Sequence, residues 1–271
     1  MSKKPTMHKA RKRFGQNFLH DAGIIRRILR AINPKPDQHL VEIGPGLGAL
    51  TEELLEEAGA LEAIELDRDL IPVLRTKFFR YEDRFQIHEA DALKFDFASL
   101  RTDDRLLRIV GNLPYNISTP LIFHLLSFSG QIQDMHFMLQ NEVVDRLAAQ
   151  PGEPHYGRLG IMAQYYCQVE KLFKVPPGAF QPAPKVDSAI VRLTPYAKLP
   201  LVAQDVHKLQ EVVRTAFSQR RKTLRNNLKP LISASTLETL EIDPQLRPER
   251  LPLEAFIRIS DAISAQQQEE H

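Results

Sequence analysis

Apolar positions in the first half of the chain alternate between two rhythms. Short apolar runs, the mark of buried strands, are separated by stretches in which apolar residues return every three to four positions, the mark of amphipathic helices. Asp21 heads the first helical stretch as an N-cap, with Ile24, Ile25, Ile28, Leu29 and Ile32 on one side of it. Asn33-Pro34-Lys35-Pro36-Asp37 breaks that helix. The pattern then predicts a strand at Leu40 to Ile43, a helix from Leu47 to Ala58, a strand at Leu61 to Glu65 and a helix from Arg68 to Phe79. Further strands are predicted at Phe85 to His88, Leu106 to Val110 and Met135 to Leu139, with helices from Thr119 to Phe128 and from Glu142 to Ala149. This alternation predicts an α/β fold, an open and mostly parallel sheet with helices on both faces. Ligands of such sheets lie beyond the C-terminal ends of the strands.

The rhythm changes after Val175. Pro176, Pro177, Pro182, Pro184, Pro195 and Pro200 crowd a stretch that holds one clear strand, Ser188 to Leu193. From Val202 onward the pattern is helical: Val206, Leu209, Val212, Val213 and Phe217 share one face, and Leu253, Phe256, Ile257 and Ile259 another. A boundary within 196–201 divides the chain into domains at 1–198 and 199–271. The Gln-rich tail is expected to fray.

Composition narrows the class. Hydrophobic residues make up 43% of the 271 and charged residues 26%, as in ordinary globular proteins. No apolar run is long enough for a membrane span. The basic first segment lacks the apolar core of a secretory signal, although its freedom from acids leaves a mitochondrial transit peptide open. The single Cys167 excludes an internal disulfide and reads as a small buried hydrophobe, and the nine histidines show no metal-ligand spacing. No metal is expected, and the cytoplasm is the simplest compartment. Net charge is only +2. Its distribution says more: Lys3, Lys4, Lys9, Arg11, Lys12 and Arg13 form one acid-free block, and Arg214, Arg220, Arg221, Lys222, Arg225 and Lys229 another. Two such blocks on a nearly neutral chain are the footprint of a polyanion binder. At helical spacing Arg221, Lys222 and Arg225 share a face that could lie along a phosphate backbone.

Two loops carry candidate chemistry. The first, Glu42-Ile43-Gly44-Pro45-Gly46-Leu47-Gly48-Ala49, is a glycine-rich turn between a strand and a helix, where a backbone can approach a ligand closely. Glu65, at the end of the next strand, is placed to accept both hydroxyls of a ribose. Asp91, after the third strand, is placed to reach the adenine amine of the same nucleoside. Gly44-x-Gly46-x-x-Ala49 also fits the loose dinucleotide fingerprint, so NAD competes with S-adenosylmethionine for this loop. Gly48 comes one place earlier than the dinucleotide pattern asks, and nothing downstream offers hydride chemistry.

The second loop is Asn112-Leu113-Pro114-Tyr115, where Pro114 stops the preceding strand. It presents a side-chain amide, a backbone carbonyl and an aromatic face together. That set suits methylation of the exocyclic amine of a nucleobase, whose lone pair is delocalised into the ring. Two acceptors on the amine's hydrogens, the Asn112 oxygen and the Leu113 carbonyl, would pull it toward a tetrahedral shape. Tyr115 would stack on the flipped base.

With these residues in place, the chain resembles the ribosomal small-subunit RNA adenine dimethyltransferases. The resemblance runs through Arg13-Phe14-Gly15-Gln16-Asn17-Phe18-Leu19, Val41-Glu42-Ile43-Gly44-Pro45-Gly46 and Ile64-Glu65-Leu66-Asp67. It continues through Gly111 to Ser118, Val175 to Phe180, Pro184-Lys185-Val186-Asp187-Ser188 and Phe217 to Arg225. It implies a Rossmann-like S-adenosylmethionine-dependent methyltransferase domain with a small all-helical C-terminal domain that binds rRNA. It implies contacts to the cofactor from Asn17, Leu19, Gly44, Gly46, Glu65, Asp91 and Asn112. It implies that Phe180 covers the adenine face opposite Tyr115; the basic block itself points to Arg220, Arg221, Lys222 and Arg225 as the residues that touch RNA. The implied reaction is transfer of four methyl groups to two neighbouring adenosines near the 3′ end of 16S rRNA, by a monomer acting on an assembling small subunit. Other readings stand beside it: a large-subunit rRNA adenine methyltransferase, a DNA adenine methyltransferase, a non-catalytic checkpoint in ribosome assembly, and a nucleic-acid-binding factor.

Overall fold

A computed structural model describes residues 16–269, so the basic segment 1–13 and the Arg13-Phe14-Gly15 start of the first motif lie outside the described residues. The chain opens with β1 (Phe18–Leu19), α1 (Ala22–Ile32), β2 (His39–Ile43), α2 (Ala49–Ala58), β3 (Leu61–Glu65), α3 (Leu70–Lys77) and β4 (Phe85–Glu89). It continues through β5 (Leu107–Asn112), α4 (Ser118–Leu126), β6 (Ile132–Gln140), α5 (Asn141–Ala148), α6 (Arg158–Tyr166), β7 (Cys167–Val175), β8 (Phe180–Gln181) and β9 (Ser188–Pro195). Helices α7 (Val206–Ala216), α8 (Leu224–Leu228), α9 (Ala234–Thr239) and α10 (Leu253–Glu269) close the chain. Each strand and helix expected from the pattern in the first half is present, with ends shifted by a few residues.

Seven strands form one sheet in the order β4-β3-β2-β5-β6-β9-β7. The pairs β4–β3, β3–β2, β2–β5 and β5–β6 are parallel, and β9 runs antiparallel to β6. From β2 the chain builds outward to β3 and β4 on one side and then returns to add β5 and β6 on the other. The order therefore reverses between β2 and β5, and a crevice opens beyond their C-terminal ends. The glycine loop follows β2, Glu65 ends β3 and Asn112 ends β5. Three candidate residues from three distant segments meet at one rim because three parallel strands end there.

Local chemistry explains the elements that frame this rim. Asp21 caps α1 by accepting the Ile24 N–H at 2.9 Å, and Ile24, Ile28, Leu29 and Ile32 are buried. Arg108 sits inside the apolar run of β5 yet is 5% exposed. Its guanidinium pairs with Asp134 on β6 at 2.9 Å and donates to the Ile32 carbonyl at 2.6 Å, where α1 ends. A buried charge is tolerable there because its donors are used on the partner carboxylate and on orphaned helix carbonyls. Gly48, the residue before α2, has φ +82°, and a Cβ on it would lie 2.5 Å from the Phe78 ring. This third glycine serves packing.

The chain divides into two compact units. One comprises the chain up to Val144 with Glu170–Pro195, and the other comprises Asp145–Val169 with the chain from Tyr196 onward. The division expected at 198/199 is sequential, whereas the structure draws 145–169 into the second unit. The reason is helix packing. The buried Leu159, Ile161, Met162, Ala163 and Tyr165 give α6 a broad apolar surface, and α6 packs against α7. Gly160 lets α6 approach the Arg146 carbonyl so closely that a Cβ would lie 2.4 Å from it. Cys167, at the start of β7, is fully buried, and burial pushes its thiol up to about 12, which fits the inert hydrophobe read from sequence.

Candidate active site

A cavity of about 310 Å³ occupies the crevice at the ends of β2, β3 and β5. Asn17, Leu19, Gly44, Gly46, Glu65, Asp91, Asn112, Leu113 and Tyr115 all line it. The structure thus brings together every expected cofactor residue and three of the four expected catalytic ones. Leu47, Leu50, Ile64, Leu66 and Ala92 supply apolar wall.

Glu65 is 7% exposed, and its carboxylate accepts the Asp67 N–H at 2.8 Å. Burial raises its pKa above the usual carboxylate range, and the backbone N–H groups of Asp67 and Gly46 act against that rise. A buried acid held by backbone donors is a fixed acceptor, the donor–acceptor match that paired sugar hydroxyls need. Asp91 accepts the Leu93 N–H at 3.0 Å, which aims its carboxylate from the turn after β4. Gln16 and Asp67 also line the cavity and were not singled out by sequence; the Gln16 amide donates to Asp67 at 3.0 Å.

Asn112 has a defined orientation. Its Nδ2 donates to the Asn17 carbonyl at 3.0 Å. The donor half of the amide is thereby used, and Oδ1 is left as an acceptor at the cavity. Leu113 donates its N–H to the Met138 carbonyl at 3.2 Å, so the loop backbone is tied to β6, while the Leu113 carbonyl has no partner among the described residues. The segment that supplies Asn17 is itself fastened. Leu19 pairs with Phe180 across β1 and β8, and the His20 N–H donates to the Ala179 carbonyl at 2.9 Å. Gly46, at φ +60°, leaves room for the Phe18 ring, which would lie 3.1 Å from a Cβ there.

Tyr115 is half-buried, and its hydroxyl lies 2.7 Å from Ser188 Oγ. Burial raises the pKa of the phenol, and the Ser188 hydrogen bond acts against that rise. Phe180 does not join it at the cavity. It is 2% exposed and belongs to the core with Leu19, Val175, Ala179 and Ile190. The ring packs in the core that supports β1, so the face expected for a base is not among the residues that line the cavity.

The basic block also departs from the expected geometry. Helix α7 ends at Ala216, and Arg220 and Arg221 sit in a turn, Arg221 with φ +70°. Arg221, Lys222 and Arg225 therefore do not share a helical face. Buried Asn227 causes the turn, donating from Nδ2 to the Ala216 carbonyl at 2.6 Å and the Gln219 carbonyl at 3.2 Å. All four residues remain exposed, and none forms an ion pair among the described residues. Glu52 and Glu56 of α2 pair with Lys77 at 3.8 Å and with Arg80 at 3.0 Å.

Two buried groups make stability depend on pH in opposite directions. Glu42 lines the cavity and accepts from Thr51 Oγ1 at 2.6 Å, and burial pushes its carboxyl up to about 7. Burial pushes His136 on β6 down to about 4. Between about pH 4.5 and 6.5 the unfolded chain carries the extra proton on His136, so that group makes stability rise with pH. Over the same range the folded chain carries the extra proton on Glu42, so that group makes stability fall with pH. Their contributions offset each other in the native protein. Glu42→Gln keeps an acceptor for Thr51 and removes only the second term. The variant is expected to gain on the native protein by about 1.4 kcal/mol per pH unit across this range. Urea unfolding at a series of pH values checks this, and parallel stability curves would refute it.

The model of the ribosomal RNA adenine dimethylase family matches residues 7–265. A ribosomal RNA small subunit methyltransferase A from Hahella chejuensis is 70% identical over 256 residues, covering 94% of this chain and 93% of that protein. One of the same description from Pseudomonas aeruginosa is 64% identical, covering 95% and 96%. Among solved structures, a dimethyladenosine transferase from Plasmodium falciparum superposes with a TM-score of 0.79 at 27% identity, over 92% of this chain and 98% of that one. The 23S rRNA methyltransferase ErmE gives 0.71 at 25% identity, over 92% and 100%.

Proposed function

The chain belongs to the ribosomal RNA adenine dimethylase family, and from that membership we propose that it dimethylates the exocyclic amines of two adjacent adenosines near the 3′ end of 16S rRNA, using S-adenosylmethionine. The observation that carries this reading is the oriented amide of Asn112 at the rim of the cavity, its donor spent on Asn17 and its acceptor free to take a hydrogen from an amine. S-adenosylmethionine suits the residues present: the buried Glu65 carboxylate for ribose hydroxyls, Asp91 for an adenine amine, and Leu66 and Ala92 as apolar wall. When bound, it supplies a methyl group on a positively charged sulfur, an activated leaving group.

What the chain adds is position. Asn112 Oδ1 and the Leu113 carbonyl each accept one hydrogen of the target amine, which draws its lone pair out of the ring. Tyr115 stacks on the base and holds the amine in line. Alignment of this kind supplies much of the acceleration. No strong base is required, because the methylated ammonium is acidic and releases its proton to water. Each group named here comes from one chain, so the chemistry needs no second copy.

The test is incubation of the protein with labelled S-adenosylmethionine and unmethylated small subunits, followed by mapping of the label. Label on two neighbouring adenosines near the 3′ end of 16S rRNA is expected. Label on 23S rRNA or on DNA, or none at all, would overturn the reading.

In this reading the RNA grip falls on Arg220, Arg221, Lys222 and Arg225, which are exposed and form no ion pair among the described residues, so they are available to phosphates. Reversing the charge of Arg221 and Lys222 is expected to weaken binding to small subunits and to flatten its salt dependence. For a single-stranded site the slope falls by about 0.7 per lost phosphate contact. Cofactor affinity is expected to stay constant, because the cavity residues belong to the other unit. An unaltered salt slope would remove these residues from the RNA contact.

A further inference from the structure

Tyr115 is pinned at both ends. Its carbonyl accepts from Ser118 Oγ at 3.2 Å, at the start of α4, and its hydroxyl lies 2.7 Å from Ser188 Oγ. Ser188 is fully buried and opens β9, where it pairs with Gln140, the last residue of β6. The hydrogen bond therefore ties the loop after β5, across β6, to the start of β9. Because the hydroxyl lies on the axis about which the ring turns, holding it fixes the first side-chain torsion and so where the ring sits along the cavity wall. A wholly buried serine spends its one hydroxyl on a side chain that lines the cavity.

We propose that Ser188 is a positioning residue that fixes the Tyr115 ring as the wall for the target adenine and so favours the second methyl transfer over release of a monomethylated product. The proposal rests on the reading of Tyr115 as the stacking residue. Its chemical basis is a count of hydrogens. An unmethylated amine offers two N–H groups, one to Asn112 Oδ1 and one to the Leu113 carbonyl. A monomethylated amine offers only one. One acceptor then has nothing to hold, and the stack against Tyr115 carries a larger share of the alignment. A loosened ring consequently costs the second transfer more than the first.

The test compares Ser188→Ala, Tyr115→Phe and the double variant on unmethylated small subunits, with Tyr115→Ala alongside. Digested rRNA is analysed for monomethyl- and dimethyladenosine. Ser188→Ala is expected to lower kcat for the second transfer about five- to tenfold, the scale of one neutral hydrogen bond, with KM for the subunit unchanged and monomethyladenosine accumulating. Tyr115→Phe removes the same bond from its other end and keeps the ring, so it is expected to match Ser188→Ala and carries the test should that variant fail to fold. The double variant is expected to equal either single one, because both remove one interaction. Unchanged product ratios in both single variants, or additive losses in the double, would overturn the role of Ser188. Tyr115→Ala separates the two levels. If it is impaired while Ser188→Ala and Tyr115→Phe are silent, only the positioning role fails; if it methylates at the native rate, the stacking role of Tyr115 fails with it.

Discussion

Asn112→Ala is expected to lower kcat by about a hundred- to a thousandfold at saturating cofactor, the scale of removing one preorganised group aimed at a reacting centre. The side chain is held by its Nδ2 bond to the Asn17 carbonyl, so its oxygen needs no reorganisation when the amine arrives. Alanine removes that acceptor and leaves the Leu113 carbonyl alone. Asn112→Asp is the sharper probe. Aspartate keeps an acceptor toward the amine, but its second oxygen would meet the Asn17 carbonyl at about the 3.0 Å now spanned by a hydrogen bond. Two acceptors facing each other there repel, so the carboxylate turns away or the segment carrying Asn17 loosens. Asn112→Asp is therefore expected to lose activity and cofactor affinity together. Asn112→Ala is expected to lose mainly activity. Single-turnover methylation of small subunits and calorimetry of cofactor binding check both. Native activity in Asn112→Ala would reduce the tetrapeptide to a strand-ending turn.

The two substitutions also mark what a sequence can and cannot carry. Pro114 announces the end of β5, and Asn112 and Tyr115 stand beside it, so the loop and its place at the strand's end were legible. The orientation of the amide was not. It is set by a backbone carbonyl 95 residues earlier in the chain, and a carbonyl has no residue-type signature. The parallel strands were legible because burial on both faces demands near-continuous apolar runs, as in Leu40 to Ile43. Strand β7 was not: apart from Cys167 and Val175 its residues are only partly buried or exposed, so Glu170, Lys171 and Lys174 interrupt any apolar run. Strands β1 and β8 have two residues each, too short for a period to register. The basic block was legible as charge but not as shape, since one buried Asn227 converts an expected helix into a turn. Phe180 matched a motif, and its place in the core beside Val175, Ala179 and Ile190 has no signature in the residue type.

The second large effect belongs to Glu65. Its carboxylate carries two duties that substitution can separate: it accepts the Asp67 N–H, which shapes the turn after β3, and it faces the cavity. Glu65→Ala loses both. Glu65→Gln keeps a carbonyl oxygen for Asp67 and loses only the charge. Charge-assisted hydrogen bonds are each worth about 1.5–3 kcal/mol. Glu65→Ala is thus expected to weaken S-adenosylmethionine binding roughly ten- to hundredfold, with Glu65→Gln in between. Stability should move differently. The native carboxylate is buried, its pKa raised by desolvation, with Glu42 nearby as a second buried acid. Removing its charge relieves that cost, so Glu65→Gln without cofactor is expected to be at least as stable as the native protein. A raised pKa also fixes the sign of the pH dependence. The ribose needs the ionised form, so native affinity falls as pH drops through the Glu65 titration, and Glu65→Gln lacks that fall. Calorimetry across pH, paired with urea unfolding, checks all three outcomes. An unchanged affinity in Glu65→Ala would show that ribose is held elsewhere. An equal loss of stability and affinity in Glu65→Gln would show that the carboxylate serves the turn alone.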